Sequence, residues 1–220
     1  MIVFVEQHQY AVRANLLSQT FTTRKKVFVD TMGWDIPVTN GQEVDQYDQL
    51  GAAYVILTDA NWRTAFASLR LLPTTGPTLL NDVFSQTIPD GADLSAPGIY
   101  ECTRFCVDEE ADAKRSYYRH IPAASLLLLG LCEIGLEKGI RTIAANFDPV
   151  MRRVYHRAGC EVEVLGEADI YGKRPVACGT FEVSERILTQ MRAKLGIDSA
   201  LYEPSAAMDA VGFSANAGYA

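Results

Sequence analysis

Charged and aromatic side chains crowd together near the N-terminus of this sequence. Arg24 and Phe28 lie on the apolar stripe of a predicted helix, Trp34 follows that helix, and Asp45 and Asp48 come shortly afterwards. An arginine on an apolar helix face must reach water or meet an anion, because burying it unpaired is costly. The segment therefore indicates either a site for a charged ligand or a solvated charged surface.

The acids Glu43, Asp45 and Asp48 allow three interpretations. They are a divalent metal site, a solvated acidic face, or partners for the nearby cations. Metal sites of this kind usually need more oxygen ligands in a tighter loop, and exposed ion pairs stabilise little. The spacing alone leaves the three open. The cations concerned are Arg24, Lys25 and Lys26.

Glu101 and Arg104 form a second candidate pair, on a predicted strand with otherwise apolar neighbours. A separation of three residues puts their side chains on opposite faces of the sheet unless a bulge intervenes. The pair is either a structural ion pair with another element, or a catalytic carboxylate and an anion clamp in a cleft where the sheet opens.

The elements that must position these residues change character along the chain. Strands are predicted over 2–5, 52–59, 62–72, 98–108, 140–147, 160–165 and 174–183, and helices over 9–32, 122–138 and 148–159. Early strands joined as hairpins and later strands alternating with helices indicate a mixed, mostly antiparallel sheet with at least one βαβ crossover. We predict an α/β fold, specifically a three-layer α/β/α sandwich.

One domain is predicted over residues 1–195, followed by a C-terminal tail over 196–220 that is either frayed or packed as an arm on the surface. Within the second hairpin strand, Trp62, Phe66 and Arg70 should share one face by period-two alternation.

Composition excludes several classes of protein. The 220 residues carry 20 Lys plus Arg against 27 Asp plus Glu, a net charge of -7, which argues against a sequence-independent nucleic-acid binder. The start lacks the basic region of a secretory signal, and the longest apolar run is interrupted by Glu133 and is too short to span a bilayer. Five cysteines without a Cys-x-x-Cys pair suit a reduced compartment. We expect a cytoplasmic protein with no membrane or nucleic-acid partner.

Familiar catalytic motifs are missing from the sequence. The three histidines show no metal-ligand spacing, so no metal is expected. The sequence has no Gly-x-Ser-x-Gly motif, no Walker loop and no dinucleotide-binding fingerprint.

A set of nine residues resembles the signature of the LuxI-type acyl-homoserine-lactone synthase family, with close to the family's usual spacing. They lie in the stretches RKKVFVDTMGW, EVDQYD, LRLLPTTGPTLLNDVF and YECTRF, and they are Arg24, Phe28, Trp34, Asp45, Asp48, Arg70, Phe84, Glu101 and Arg104. The resemblance implies a fold related to the GNAT acyltransferases. It also implies an activity: acylation of S-adenosylmethionine (SAM) by an acyl thioester, then lactonisation, which releases methylthioadenosine and yields a quorum-sensing signal.

The resemblance also implies roles. Glu101 is the candidate general base, acting through a water, with Arg104 beside it and backbone amides at a bulge near 102–106 as oxyanion donors. SAM would be bound by Arg24 or Arg104 at its carboxylate, by Phe28 and Trp34 at its sulfonium, and by Asp45 and Asp48, which fix the arginines or the substrate amine. Arg70 and Phe84 complete the network. SAM is a substrate, so no cofactor is implied.

The acyl pocket and the acyl donor are expected further along the chain. Ala145 stands where enzymes that favour 3-oxo chains often have threonine, which disfavours a 3-oxo acyl group. Asn146 and Phe147 would reshape the pocket toward short, branched or aromatic acyl groups, although Phe147 is also explained by packing under the sheet.

The basic patch that follows has three explanations. It would dock an acidic acyl carrier protein, bind the phosphates of coenzyme A (CoA), or form an ordinary solvated helix face. Its residues are Arg152, Arg153 and Arg157.

Two rival functions remain at this stage. An ordinary GNAT N-acetyltransferase would hold the CoA pyrophosphate with a Gly-rich loop entering a helix, whereas the connection before Gly130 contains no glycine after Gly98. A silent regulator that binds SAM or an acyl group is the second rival, and the presence of Glu101 argues against it. The sequence does not specify the acyl group, the donor or the oligomeric state.

Overall fold

A seven-stranded sheet organises the protein in the computed structural model, which describes residues 1–171 and 174–204. The strands are β1 (Ile2–Val5), β2 (Val38–Thr39), β3 (Gln42–Glu43), β4 (Ala53–Thr58), β5 (Ala65–Pro73), β6 (Ile99–Val107), β7 (Thr142–Phe147), β8 (Glu163–Ala168) and β9 (Val176–Glu182). The helices are α1 (Ala14–Arg24), α2 (Leu79–Asp82), α3 (Glu109–Asp112), α4 (Ala123–Glu137), α5 (Arg152–Ala158) and α6 (Glu185–Leu195).

The sheet is mixed and mostly antiparallel, as predicted. Its order is β1-β4-β5-β6-β7-β9-β8, and β2 and β3 form a separate two-stranded ribbon. The β6–β7 pair is parallel, with α4 in the connection, and the other pairs in the large sheet are antiparallel. This pair supplies the expected βαβ crossover.

Helices cover both faces of the sheet and complete the α/β/α sandwich. On one face α4 is buried along most of its length, because its sequence AASLLLLGLCEIGLE is apolar nearly all round. A side chain at Gly130 would place Cβ 2.4 Å from Ile2, so glycine lets this helix lie directly on β1. α5 and α6 pack beside α4, while α1 lies on the other face against β5 and β6.

The first predicted helix is shorter and less regular than expected. It begins at Ala14 and ends as a π-helical turn over Lys25–Thr31, and Gly33 follows with a φ of 69°. The wider turn bonds the Met32 N–H to the carbonyl of Val27, five residues back. π-helical segments of this kind occur frequently at functional sites.

The expected alignment of Trp62, Phe66 and Arg70 on one face is wrong. Trp62 precedes β5, and the pairing of β4 with β5 is irregular between Leu57 and Thr58, which leaves Phe66 as an extra residue. Phe66 therefore joins the core on the α4 side, whereas Arg70 faces α1.

The chain after β9 contains a helix that the sequence prediction missed, α6. The next residues, which fall in the predicted tail, pack on the domain: Ile197, Leu201 and Tyr202 are buried. Glu133 of α4 accepts the backbone N–H groups of Leu201 and Tyr202, both at 2.9 Å. Residues 205–220 lie outside the described part of the chain, so the domain boundary at 195 stays a prediction.

Within residues 1–171 and 174–204, no helix has the length and apolar character needed to cross a membrane.

Candidate active site

Arg24 lies at the centre of a buried charge cluster. It ends α1, its side chain is 0% exposed, and its Nε donates to Glu43 at 2.5 Å. Its two terminal nitrogens donate to both oxygens of Asp48 at 2.8 and 3.0 Å, a bidentate pair. The arginine on the apolar stripe therefore meets anions rather than water.

Arg70 and Arg104 complete the charge cluster from β5 and β6. Arg70 donates to Asp48 at 2.8 Å and to Asp45, while Arg104 donates to a Glu43 oxygen at 3.0 Å and to Asp45 at 2.9 Å. Three guanidinium groups thus meet three carboxylates, and the formal charges cancel. The charge cluster comprises Arg24, Glu43, Asp45, Asp48, Arg70 and Arg104.

Two acids of the charge cluster, Asp48 and Glu43, are held ionised. Burial raises the pKa of Asp48, but hydrogen bonds and charge from Arg24 and Arg70 outweigh it, and the pKa lies well below its usual range. Burial likewise opposes ionisation of Glu43, and Arg24 and Arg104 lower its pKa. Of the three interpretations, partnership with cations is confirmed, although the lysines pair elsewhere, Lys25 with Asp30.

No His, Cys, Asp and Glu side chains group as a metal site in the part of the chain that the structure describes.

A bulge in β6 brings Glu101 and Arg104 to the same face. The pairing of β5 with β6 shifts register between Ser68 and Arg70, and Arg104 itself has a φ of 54°. Such a conformation is uncommon for a non-glycine residue and is often found at functional sites. The bulge turns Arg104 toward the charge cluster, so the conditional prediction of a bulge is confirmed.

Glu101 is a buried carboxylate with an unusual pKa. It is 0% exposed and accepts the backbone N–H groups of Leu79 at 3.0 Å and Leu80 at 2.6 Å, at the start of α2. Burial raises its pKa to about 7, and the two backbone hydrogen bonds lower it only partly. A pKa near 7 suits a general base that works at neutral pH.

The sheet opens beside Glu101. β6 and β7 pair only as far as Cys102 and Ala145, after which β6 stays with β5 and β7 stays with β9. The cleft begins one residue beyond Glu101, which is paired with Ala144. The bulge at Arg104 lies on its β6 side.

Aromatic side chains border the charge cluster. Phe28 is buried and Trp34, which is 40% exposed, stacks on it with ring centroids 4.9 Å apart. The Arg104 guanidinium lies 5.6 Å from the centre of the Phe28 ring. Phe84 makes an edge contact with Tyr171 and packs against the apolar cluster that contains Tyr47 and Tyr54.

The three predicted acyl-pocket residues divide between the two faces of the sheet. Ala145 and Phe147 belong to the core under the helices, where Phe147 contacts the rings of Tyr155 and Phe181. Asn146 points to the other face and donates to the Thr87 hydroxyl at 2.8 Å. Glu101 is paired with Ala144, so these three residues follow its partner directly along β7.

The predicted basic patch is exposed on α5. Arg152 pairs with Glu167, and Arg153 and Arg157 lie on the same exposed surface. Its role as a docking surface stays a prediction.

Sequence reasoning overlooked several contributors to the site. Glu43 was recognised among the acids but not assigned to the site, and Tyr54, whose hydroxyl donates to Asp48 at 2.7 Å, was not noticed. The amides of Leu79 and Leu80 were also missed. The sequence feature that indicates them is Thr78, whose side chain caps α2 by accepting the Asn81 N–H.

Comparisons with known proteins identify the family of this chain. The model of the autoinducer synthase family matches residues 8–191. An acyl-homoserine-lactone synthase of Rhizobium etli is 38% identical over 142 residues, 64% of this chain and 65% of that protein. One of Agrobacterium fabrum is 32% identical over 178 residues, 81% of this chain and 84% of the relative. The structure of the CoA-dependent synthase BjaI with SAM and isopentyl-CoA superposes with a TM-score of 0.78 at 24% identity, covering 90% of each chain.

The sandwich with its opened sheet is the fold of the solved acyl-homoserine-lactone synthases, which is related to that of the GNAT acyltransferases. Within that fold, the chain belongs to the autoinducer synthase family, whose curated members here are acyl-homoserine-lactone synthases. The N-acetyltransferase alternative is less well supported than this assignment.

Proposed function

We propose that the protein acylates the α-amino group of SAM with an acyl thioester and closes the product to an acyl-homoserine lactone, a quorum-sensing signal. Methylthioadenosine is released in the second step. One observation carries this proposal. Glu101, with a pKa of about 7, stands where β6 and β7 separate, next to a charge cluster that contains five of the nine signature residues.

In the SAM site, Arg104 is the arginine placed to touch the substrate. Its side chain is 10% exposed, whereas those of Arg24 and Arg70 are fully buried. Arg104 would bind the SAM carboxylate, and Arg24 would act through Glu43 and Asp48, which hold the cluster in place. Asp45, 14% exposed, is the carboxylate available to the substrate amine.

The acylation step needs a neutral amine, and an α-amino group with a pKa near 8 is largely protonated at pH 7. Glu101 accepts its proton through a water. The nitrogen attacks the thioester carbonyl, a C–N bond forms and the C–S bond breaks. The thiolate leaves and takes the second proton of the nitrogen to become the free thiol. Backbone N–H groups near the Arg104 bulge would stabilise the oxyanion.

Lactonisation is intramolecular. A SAM carboxylate oxygen attacks the carbon attached to the sulfonium, the C–S bond breaks, and neutral methylthioadenosine leaves. The sulfonium is already a good leaving group, so holding the chain in a folded geometry supplies most of the required help. The reaction consumes SAM as a substrate and uses no cofactor.

The acyl donor in this proposal is an acyl-CoA or an acyl carrier protein. The BjaI structure contains isopentyl-CoA, and a Bradyrhizobium diazoefficiens relative, 26% identical, is an isovaleryl-homoserine lactone synthase. The exposed arginines of α5 suit either the CoA phosphates or an acidic carrier. The five free cysteines among the described residues agree with a cytoplasmic location.

Incubation of the purified protein with SAM and a panel of acyl-CoA and acyl-carrier-protein donors tests this function. Mass spectrometry should detect a lactone with at least one donor. Absence of lactone with every donor contradicts the proposal.

Replacing Trp34 should weaken SAM binding through its sulfonium. A cation over an aromatic face contributes about 0.5 to 2 kcal/mol. Trp34→Ala should therefore raise the Kd of SAM by a factor about threefold or more larger than the factor for S-adenosylhomocysteine, whose sulfur carries no charge. Calorimetry with both ligands measures the difference. Leu50→Ala, at another exposed apolar residue, is the control. An equal rise in the Kd of both ligands would argue against contact between Trp34 and the sulfonium.

Replacing Phe147 should change both stability and acyl preference. Phe147→Ala should lower the free energy of unfolding by about 3 to 5 kcal/mol, because a buried ring is lost, and should lengthen the preferred acyl chain. Urea unfolding and a donor series measure the two effects. Phe181→Ala removes a neighbouring ring of the same aromatic group and should leave chain-length preference unchanged. An unchanged donor profile in Phe147→Ala would restrict this residue to packing.

A further inference from the structure

Asn146 lies at the edge of the cleft, on the face of the sheet that carries Glu101. Ala144, opposite Glu101 in the β6–β7 register, packs with Leu80, whose N–H binds the Glu101 carboxylate. Side chains two residues apart share a face of a strand, so Asn146 shares that of Ala144, roughly 7 Å further along. It is also the first residue of β7 beyond the paired segment.

The hydrogen bonds around Asn146 determine which way its amide points. The Thr87 hydroxyl donates its one hydrogen to the carbonyl of Phe84 at 2.7 Å. It can therefore only accept from Asn146, whose Nδ2 donates to it at 2.8 Å. This arrangement directs Oδ1 away from Thr87 and leaves it as an acceptor.

Oδ1 of Asn146 is buried and has no hydrogen-bond partner among residues 1–171 and 174–204. Most buried side-chain polar atoms in proteins are paired, and an unpaired acceptor is costly. The thiol of Cys178, a weak donor, makes a hydrogen bond with Thr87. The other side chains of the small cluster on this face are apolar: Leu80, Ile88, Leu94, Ile99, Ala144 and Leu165.

We propose that Asn146 is a specificity residue that accepts a hydrogen bond from a hydroxyl at C3 of the acyl group, so that the enzyme prefers 3-hydroxyacyl donors. This inference rests on the proposed synthase function. When the thioester carbonyl is attacked beside Glu101, the acyl chain continues into the cleft. Its C3 then lies two carbons beyond the carbonyl carbon, toward Asn146. A hydroxyl there supplies the missing donor, whereas the oxygen of a 3-oxo group is itself an acceptor and is repelled by Oδ1.

The order of preference follows from this pairing. A 3-hydroxy donor gains a hydrogen bond, an unsubstituted chain leaves Oδ1 unpaired, and a 3-oxo chain adds repulsion between two oxygens. A site built around a substrate hydroxyl can discriminate strongly against analogues that lack it, because its own polar group is left unpaired. The expected ratio between 3-hydroxy and 3-oxo donors is about tenfold or more.

A competition assay tests the inference. The purified protein and SAM receive an equal mixture of 3-hydroxyacyl, unsubstituted and 3-oxoacyl donors of one chain length, as CoA thioesters and, separately, as carrier-protein thioesters. The early ratio of the three lactones gives the ratio of their kcat/KM values. The wild type should favour the 3-hydroxy product. Asn146→Leu, which keeps the volume but removes the acceptor, should bring the ratios to within about threefold of one another.

Two further variants complete the design. Asn61→Leu, at an exposed turn residue, should retain the wild-type ratios. Asn146→Thr, which introduces a hydroxyl donor, should shift the ratio toward the 3-oxo product and provides a second test should the leucine variant fold poorly.

The outcomes separate the two proposals. No lactone from any donor contradicts the synthase function itself. Lactones without a 3-hydroxy preference, or a preference that persists in Asn146→Leu and Asn146→Thr, overturn the role of Asn146 and leave the synthase function standing.

Discussion

Glu101→Gln should lower kcat by about 100-fold or more while leaving the Kd of SAM within a few-fold of the wild-type value. General-base catalysis typically contributes factors of about 100 to 10,000, and glutamine retains the size of the side chain without its basicity. Lactone formation gives kcat, and calorimetry gives the Kd. Glu137→Gln, at an exposed glutamate of α4, should have no effect. Wild-type turnover in Glu101→Gln would exclude Glu101 as the base.

The pH dependence gives an independent test of the same role. Burial raises the pKa of Glu101 to about 7, and only the deprotonated carboxylate accepts a proton. Wild-type kcat/KM should therefore fall as the pH drops below 7, where a protonated Glu101 no longer removes the proton from the SAM ammonium group. The inflection of kcat/KM near pH 7 should be absent in Glu101→Gln, leaving only the inflection of the SAM amine near pH 8. An identical profile in both proteins would assign the inflection elsewhere.

Asp48→Asn should destabilise the fold strongly and abolish SAM binding. Asp48 accepts hydrogen bonds from Arg24, Arg70 and Tyr54, so the substitution leaves buried guanidinium groups with one carboxylate fewer. Removing one partner of a buried ion pair typically costs about 3 to 5 kcal/mol. Urea unfolding at pH 7 measures the loss.

The matched control for this prediction is Asp30→Asn. Asp30 pairs with Lys25 at the surface, where its side chain is 46% exposed. The free energy of unfolding should therefore fall by about 1 kcal/mol or less. A loss at Asp48 no larger than that at Asp30 would contradict the structural importance of the charge cluster.

Much of the architecture was predictable because its signals are local. The alternating apolar strands, the nearly continuous apolar run of α4, and the helix capped by Asp148 and ended by Gly159 all follow from short stretches of sequence. α6 was missed. It is an amphipathic helix, with Ser184 as its N-cap and Ile187, Leu188 and Met191 on its buried side, and the capping signal was available.

The site was harder to predict because it depends on long-range pairing. Residue types suggested that acids and arginines meet, but the network joins α1, the ribbon strand β3, β5 and β6, which only the fold brings together. The bulge at Arg104 was an open alternative because no residue type at this position demands a positive φ. The raised pKa of Glu101 likewise depends on its burial in the fold, which outweighs the hydrogen bonds from the Leu79 and Leu80 amides, 22 and 21 residues away in sequence.

The most direct test of the account is the amount of methylthioadenosine and lactone formed by the purified protein from SAM and an accepted acyl thioester. Acylation followed by lactonisation predicts equal amounts of the two products, and a large loss of both in Glu101→Gln. Consumption of the thioester without lactone, or transfer of the acyl group to an amine other than that of SAM, would contradict it.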